Sequence, residues 1–171
     1  MSMKRVPDLL TVLRGAIAVA IALLGLAGRG ALEAVVLLTL VGWTSDIFDG
    51  RLARRYKKEP TWIGEREFLF DMVMVFSGLC YLVMAGFIPF VLAAVYVGVA
   101  APFIAYFRSK SVTMSFAFPL VTLPLIVSYF NAPRAAVLFV VWIALALVID
   151  WRRFKGVVRE FIDNAKVVQK H

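Results

Sequence analysis

The chain has 171 residues, of which 62% are hydrophobic and only 18% are charged, although its net charge is +8. Soluble domains contain about 45–50% apolar residues, and a chain of this length leaves roughly 30% of its unfolded surface exposed after folding. A soluble globule and a disordered chain are therefore both excluded. The single cysteine excludes a disulfide-stapled scaffold. The composition indicates an integral membrane protein.

Long uncharged runs predict the helices. The longest run covers residues 72–107, and because one crossing needs about 20 residues, it contains two crossings with a turn near Gly86. Only helices satisfy the backbone hydrogen bonds of such segments in lipid. We therefore expect an all-α integral membrane protein with six transmembrane helices. They are predicted at about residues 8–28, 31–53, 67–87, 89–107, 112–130 and 133–151.

The basic residues lie mainly on one side of this arrangement. Sixteen of the 19 fall in the N-terminal tail, the segment between the second and third helices, the turn after the fourth, and the C-terminal tail. The positive-inside rule then places both termini in the cytoplasm of a multi-pass protein of the inner or plasma membrane. A basic surface facing anionic lipid head groups explains the net charge without nucleic acid. Residues 1–150 are expected to form the six-helix domain, and residues 151–171 a basic interfacial cytoplasmic tail.

Four acidic residues are predicted to converge at the cytoplasmic end of the second and third helices. Asp46 and Asp49 are three residues apart, and Glu67 and Asp71 are four apart, so each pair shares one helix face. Carboxylates at membrane depth are costly and usually functional, and four together need a cation because like charges disfavour ionisation. Oxygen-only ligands suit Mg²⁺ or Mn²⁺, and two such ions would neutralise a pyrophosphate.

Small and basic residues surround this predicted site. Gly50 and Ala53 would let a ligand approach the helix backbone closely. Arg54 lies one turn beyond, where a phosphate would sit. Arg14, in the first helix, is expected to pack near the phosphate region. Arg108 and Lys110 lie on the same predicted side of the membrane.

One stretch of the sequence resembles a known signature. Asp46-Ile-Phe-Asp49-Gly50-Arg-Leu-Ala53-Arg54, followed by Glu67 and Asp71, is similar to the CDP-alcohol phosphatidyltransferase motif, D-x2-D-G-x2-A-R-x8-G-x3-D-x3-D. The first half matches at every defined position. There are two departures: the third aspartate is replaced by Glu67, and the glycine position is occupied by Ile63.

The resemblance implies a divalent-metal-dependent transferase of phospholipid biosynthesis, with its active site facing the cytoplasm. It would move the phosphatidyl group of CDP-diacylglycerol to a small polar alcohol, of the glycerol 3-phosphate or inositol phosphate type, and release CMP. Arg108 and Lys110 could hold the phosphate of this acceptor. Asp46, Asp49 and Glu67 would hold two ions, with Asp71 as a further ligand or the general base. The family also implies a homodimer. It further implies a CDP pocket lined by Gly50, Ala53 and Arg54.

Two other functions remain open at this point. The departures at Ile63 and Glu67 are those expected of an impaired relative that binds metal or CDP-lipid without turnover. The acids could also form the cation path of a transporter. A transporter, however, places its acids near mid-bilayer and on broken helices, whereas these acids cluster near one predicted membrane boundary.

Overall fold

The structure of the protein is a computed structural model that describes residues 6–55 and 67–168. These residues are almost entirely helical and contain no strand, which confirms the all-α prediction. Within these described residues, seven α-helices follow one another. They are α1 (Val6–Leu24), α2 (Leu32–Arg55), α3 (Glu67–Met84), α4 (Phe90–Phe107), α5 (Lys110–Asn131), α6 (Pro133–Ile149) and α7 (Trp151–Val168).

The six helices predicted from the uncharged runs correspond to α1–α6, with their ends shifted by a few residues. The largest shift is at the end of the first helix, where Gly25–Ala31 forms a short 3₁₀ helix. Within it, Gly28 has φ 73° and ψ −157°, a conformation that glycine adopts at little cost. The chain thus breaks at Gly28 and reverses direction between α1 and α2.

The chain divides into two compact units, Met1–Phe87 and Ile88–His171. In the first unit, α1 is the central helix, because it packs against both α2 and α3. The core of this unit is apolar, and it is formed by one face of each of the three helices. Its buried residues include Ile17, Ala18, Ile21, Val35, Val36, Tyr81 and Leu82.

Glycines allow the helices of the first unit to approach closely. A Cβ at Gly15 of α1 would lie 2.9 Å from the ring of Phe70 in α3, so the ring would have to shift. A Cβ at Gly42 of α2 would overlap the side chain of Met74 in α3. Small residues at helix contacts are the usual means of close packing in membranes. The glycines therefore bring the polar residues of three helices within reach of one another.

Polar contacts also hold the first unit at the end where α1 meets α2. The Tyr81 hydroxyl donates a hydrogen bond to the carbonyl of Gly28 over 3.2 Å. Arg29 donates to the carbonyl of Gly86 over 2.6 Å, and its guanidinium lies 5.1 Å from the centre of the Phe87 ring. These bonds tie the 3₁₀ turn to the end of α3.

The second unit contains α4–α7. Tyr96 of α4 donates a hydrogen bond to the carbonyl of Phe116 in α5 over 2.6 Å, and Ser111 of α5 donates to that of Phe161 in α7 over 3.0 Å. The predicted tail therefore contains a helix that packs on α5 and α6. Apolar side chains remain exposed on α7 at helical spacing, as an interfacial helix requires. These side chains are Trp151, Phe154, Val158, Phe161 and Ile162. The domain boundary at residue 150 stays a prediction.

Length and composition identify three candidate membrane spans in the described residues, or four if the bent pair Pro133–Ile149 and Phe154–Asp163 is one span. The first candidate, Asp8–Asp49, covers 42 residues and contains most of α1 and most of α2. The others are Phe90–Phe107 and Ser111–Asn131, and Leu69–Met84 is a shorter apolar helix. Large apolar side chains are exposed along these helices, for example Phe90 at 73%. Such surfaces fit a bilayer rather than water.

We expect Gly42→Leu to destabilise the first unit, because the new side chain overlaps Met74. Overpacking of this kind costs about 1–3 kcal/mol, so the thermal unfolding midpoint in detergent should fall. The matched control is Gly98→Leu in α4, where an added Cβ meets nothing within 4 Å. Equal midpoints for the two variants would contradict the packing of α2 against Met74.

Candidate functional site

A buried arginine lies where the three helices of the first unit meet. Arg14 belongs to α1, is 1% exposed, and is the only charged residue between Asp8 and Arg29. A buried charge is stable only when it is paired and hydrogen-bonded. Arg14 meets this requirement through carboxylates that neighbouring helices supply.

Both terminal nitrogens of Arg14 contact aspartates. Nη2 lies 3.0 Å from Oδ1 of Asp46 and also contacts Oδ2 of Asp49, and both residues belong to α2. Nη1 donates to Oδ1 of Asp71 in α3. A planar guanidinium offers its donors in a fixed fork, so this one side chain links α2 to α3. We call Arg14, Asp46, Asp49 and Asp71 the arginine–aspartate cluster.

The three aspartates differ in exposure. Asp49 is 3% exposed, and Thr11, one turn before Arg14 on α1, donates to its Oδ2 over 3.4 Å. Asp46 is 28% exposed and Asp71 is 39% exposed. Asp49 therefore lies in the interior of the unit, whereas Asp46 and Asp71 are accessible to a ligand approaching from outside.

The helix positions of the aspartates explain why they meet. Asp46 and Asp49 lie one turn apart near the end of α2, and Asp71 lies one turn after the start of α3. The close contact of Gly15 with Phe70 holds the start of α3 against α1 beside Arg14 and Asp71. The predicted convergence is thus seen for three of the four acids.

The remaining predicted site residues fall in two groups. Arg108 is an exposed residue in the turn between α4 and α5, with φ 44°, and its backbone N–H donates to the carbonyl of Ile104 over 3.0 Å. Since Arg108 belongs to the second unit, its assigned role stays a prediction. The other residues are Gly50, Ala53, Arg54, Glu67 and Lys110, whose side chains lie outside the described part of the structure, as does Ile63.

Sequence reasoning did not identify Arg14 as the partner of the aspartates. A signal was present, because Arg14 is the one charge in the stretch between Asp8 and Arg29, and a charge at membrane depth must find a counterion. Thr11, three residues earlier, marks the polar face of that helix. The pattern of a single helix does not show which neighbours it will contact, so the pairing emerges only in the fold.

The cluster has ligand atoms suited to a divalent cation, but these atoms surround a guanidinium. The atoms of the three aspartates that could bind a metal are all oxygens, as Mg²⁺ and Mn²⁺ prefer. Three carboxylates and one guanidinium leave two net negative charges among these four side chains, which is the charge that one divalent cation neutralises. Among the side chains that the structure describes, which do not include that of Glu67, no three His, Cys, Asp or Glu residues are arranged to hold a metal ion. The aspartates contact Arg14 instead.

Comparison with known families decides what kind of protein carries this cluster. The sequence profile of the CDP-alcohol phosphatidyltransferases matches residues 4–151, which is most of the chain. The chain belongs to the CDP-alcohol phosphatidyltransferase family. The match includes all of α1–α6 and hence every residue of the arginine–aspartate cluster. Searches of curated proteins and of solved structures gave no significant match.

Membership of the CDP-alcohol phosphatidyltransferase family agrees with the exposed apolar helices. Together they indicate a multi-pass integral membrane protein of phospholipid biosynthesis. The family resemblance inferred from Asp46–Asp71 is therefore confirmed, and it extends well beyond that motif.

The burial of Asp49 predicts how much this residue contributes to the stability of the protein. Asp49→Asn keeps an oxygen acceptor but removes the negative charge of the buried pair with Arg14, and a hydrogen bond to a charged group is worth about 1.5–3 kcal/mol. Asp71→Asn should cost less, because Asp71 is 39% exposed and solvent screens its pair. Thermal unfolding in detergent with EDTA should therefore show a larger midpoint drop for Asp49→Asn. The reverse order would contradict the burial of Asp49.

Proposed function

We propose that the protein transfers the phosphatidyl group of CDP-diacylglycerol to a small polar alcohol and releases CMP. The observation that carries the proposal is the meeting of Asp46, Asp49 and Asp71 at one point, since the family signature contains all three. In this reaction the alcohol oxygen bonds to the β-phosphorus of the lipid. The bond from that phosphorus to the bridging oxygen breaks, and CMP leaves with the electron pair.

Different residues are proposed to perform the proton transfer and to bind the metal ions. Asp71 accepts the proton of the attacking hydroxyl, and its 39% exposure allows an alcohol to reach it. Asp46, Asp49, Asp71 and Glu67 are the proposed ligands of two Mg²⁺ or Mn²⁺ ions. Bound there, the cations would neutralise negative charge on the pyrophosphate.

We place the CDP moiety at the end of α2, beside the residues that the family resemblance implies for its pocket. Gly50 and Ala53 lack bulky side chains, so a nucleotide can approach the helix backbone, and Arg54 would pair with a phosphate oxygen. The acyl chains would stay in the bilayer during transfer. This division suits a donor that is part lipid and part nucleotide, and it holds the reacting phosphorus in line with the acceptor.

The finer topology belongs to the same proposal. We infer six crossings, both termini in the cytoplasm and the acidic site facing the cytoplasm, because 16 of the 19 basic residues fall on that side. The proposed assembly is a homodimer. Support for the crossing number comes from α1 and α2, which fold back on each other within one 42-residue apolar segment.

Loss of the accessible aspartate should stop transfer. We expect Asp71→Asn to lower the rate of CMP release from CDP-diacylglycerol by at least about 100-fold, the usual contribution of a positioned general base. The assay uses purified full-length protein with Mg²⁺ and a panel of alcohols. The control, Glu33→Gln, removes an exposed carboxylate from the first turn of α2, at its other end. Equal rates for the two variants would refute the role of Asp71.

Arg108 is proposed to hold the phosphate of the acceptor. Arg108→Gln should then raise KM for a phosphorylated alcohol by about tenfold while leaving kcat nearly unchanged, as expected when a binding interaction alone is lost. Arg134→Gln removes another exposed arginine of the same unit and should have no effect. Unchanged KM in Arg108→Gln would show that the acceptor phosphate binds elsewhere.

The second candidate is a relative that binds the lipid without turnover. It is favoured by Glu67 in place of the family aspartate and by the contacts of Arg14 with three motif aspartates. The CMP-release assay separates the two candidates. Binding of CDP-diacylglycerol with no CMP release from any acceptor would select the second.

A further inference from the structure

Arg14 contacts the carboxylates that are assigned to divalent cations. Its Nη2 contacts Oδ1 of Asp46 and Oδ2 of Asp49, and its Nη1 contacts Oδ1 of Asp71. The side chain is 1% exposed, so its guanidinium lies inside the unit among these oxygens. The guanidinium and a bound cation would therefore share the same three carboxylates, each of which has one oxygen in contact with Arg14.

Because Arg14 and a metal ion would bind the same carboxylates, their positive charges affect each other's binding. A guanidinium attracts the carboxylates and repels a divalent cation, and both interactions are strong where water is largely excluded. A cation that enters must either displace Arg14 from some of its contacts or bind beside a positive charge. In either case, the affinity for the cation depends on Arg14.

We propose that Arg14 is a built-in counterion that holds Asp46, Asp49 and Asp71 together before a divalent cation binds, and that it competes with that cation for their oxygens. The inference rests on the proposed metal role of these aspartates. Arg14 is then a positioning residue. It preserves the geometry of the site without metal, and it sets the cation concentration at which the site fills.

The contacts of Arg14 support this role over that of a simple helix cross-link. A cross-link between α2 and α3 needs one carboxylate from each, whereas Arg14 contacts two from α2 and one from α3. Three carboxylates without a cation repel one another. One guanidinium reduces that repulsion and leaves two net negative charges in the cluster, which still attract a divalent cation.

The test compares Mn²⁺ affinity in wild type, Arg14→Gln and Arg14→Lys, measured by electron paramagnetic resonance of free Mn²⁺ with full-length protein in detergent. Arg134→Gln is the matched control, because it removes the same charge from an exposed position at the start of α6. Competition predicts that Arg14→Gln binds Mn²⁺ at least about tenfold more tightly than wild type. Arg14→Lys keeps the charge and should stay near wild type.

Thermal unfolding provides an independent readout. Without metal, Arg14→Gln should unfold at a lower temperature than wild type, because the carboxylates lose their counterion. Mn²⁺ should restore most of that loss, since ligand binding to the folded state stabilises it. If Arg14→Gln does not fold, Mn²⁺ affinity is compared between Asp71→Asn and the double variant Arg14→Gln/Asp71→Asn. The double variant removes one positive and one negative charge, so the net charge of the cluster is the same as in wild type.

The outcomes separate the inference from the proposed reaction. Weaker or equal Mn²⁺ binding on removal of Arg14, or no Mn²⁺ binding by any variant, overturns the inference. Tighter Mn²⁺ binding by Arg14→Gln supports the inference, whether or not the wild type releases CMP. Absence of CMP release by the wild type would refute the proposed transfer and leave the inference standing. Stability that Mn²⁺ does not restore would assign Arg14 a purely structural role and overturn the inference as well.

Discussion

The contacts between Arg14 and three aspartates are the constraint on which the first unit depends. A guanidinium that is 1% exposed in an apolar helix is tolerable only if carboxylates reach it. Asp46 and Asp49 must then face α1 from one side, and Asp71 must face it from another. This requirement sets the rotation of α2 and α3 about their axes, and glycines at the helix contacts make the required proximity possible.

The same constraint connects the fold to its chemistry. Because the carboxylates come from two helices, a group that binds between them contacts α2 and α3 together. Phosphoryl transfer depends on positioning and on neutralising charge more than on covalent participation by the protein. A preformed group of aspartates at the end of a helix bundle suits this requirement. A lipid substrate can approach it with its acyl chains still in the bilayer.

Much of the fold follows from the sequence because charge is so sparse. The uncharged run 72–107 predicts α3 and α4 with a turn between them, and the structure has the turn at residues 85–89. The spacing of Asp46 and Asp49 predicts a shared face, since residues three apart lie one turn apart on a helix. The 3₁₀ turn at Gly25–Ala31 was not predicted, because an apolar run does not show where its helix will break.

The site was predicted less completely. Its aspartates were identified from motif spacing, but their partner on α1 was not, because helix contacts depend on packing across the whole unit. Anomalous diffraction from crystals soaked in Mn²⁺ tests the central claim most directly. The account predicts a peak about 2.1 Å from oxygens of Asp46, Asp49 and Asp71, with Arg14 released from at least one of them. A Mn²⁺ peak elsewhere, with Arg14 still contacting all three aspartates, would contradict it.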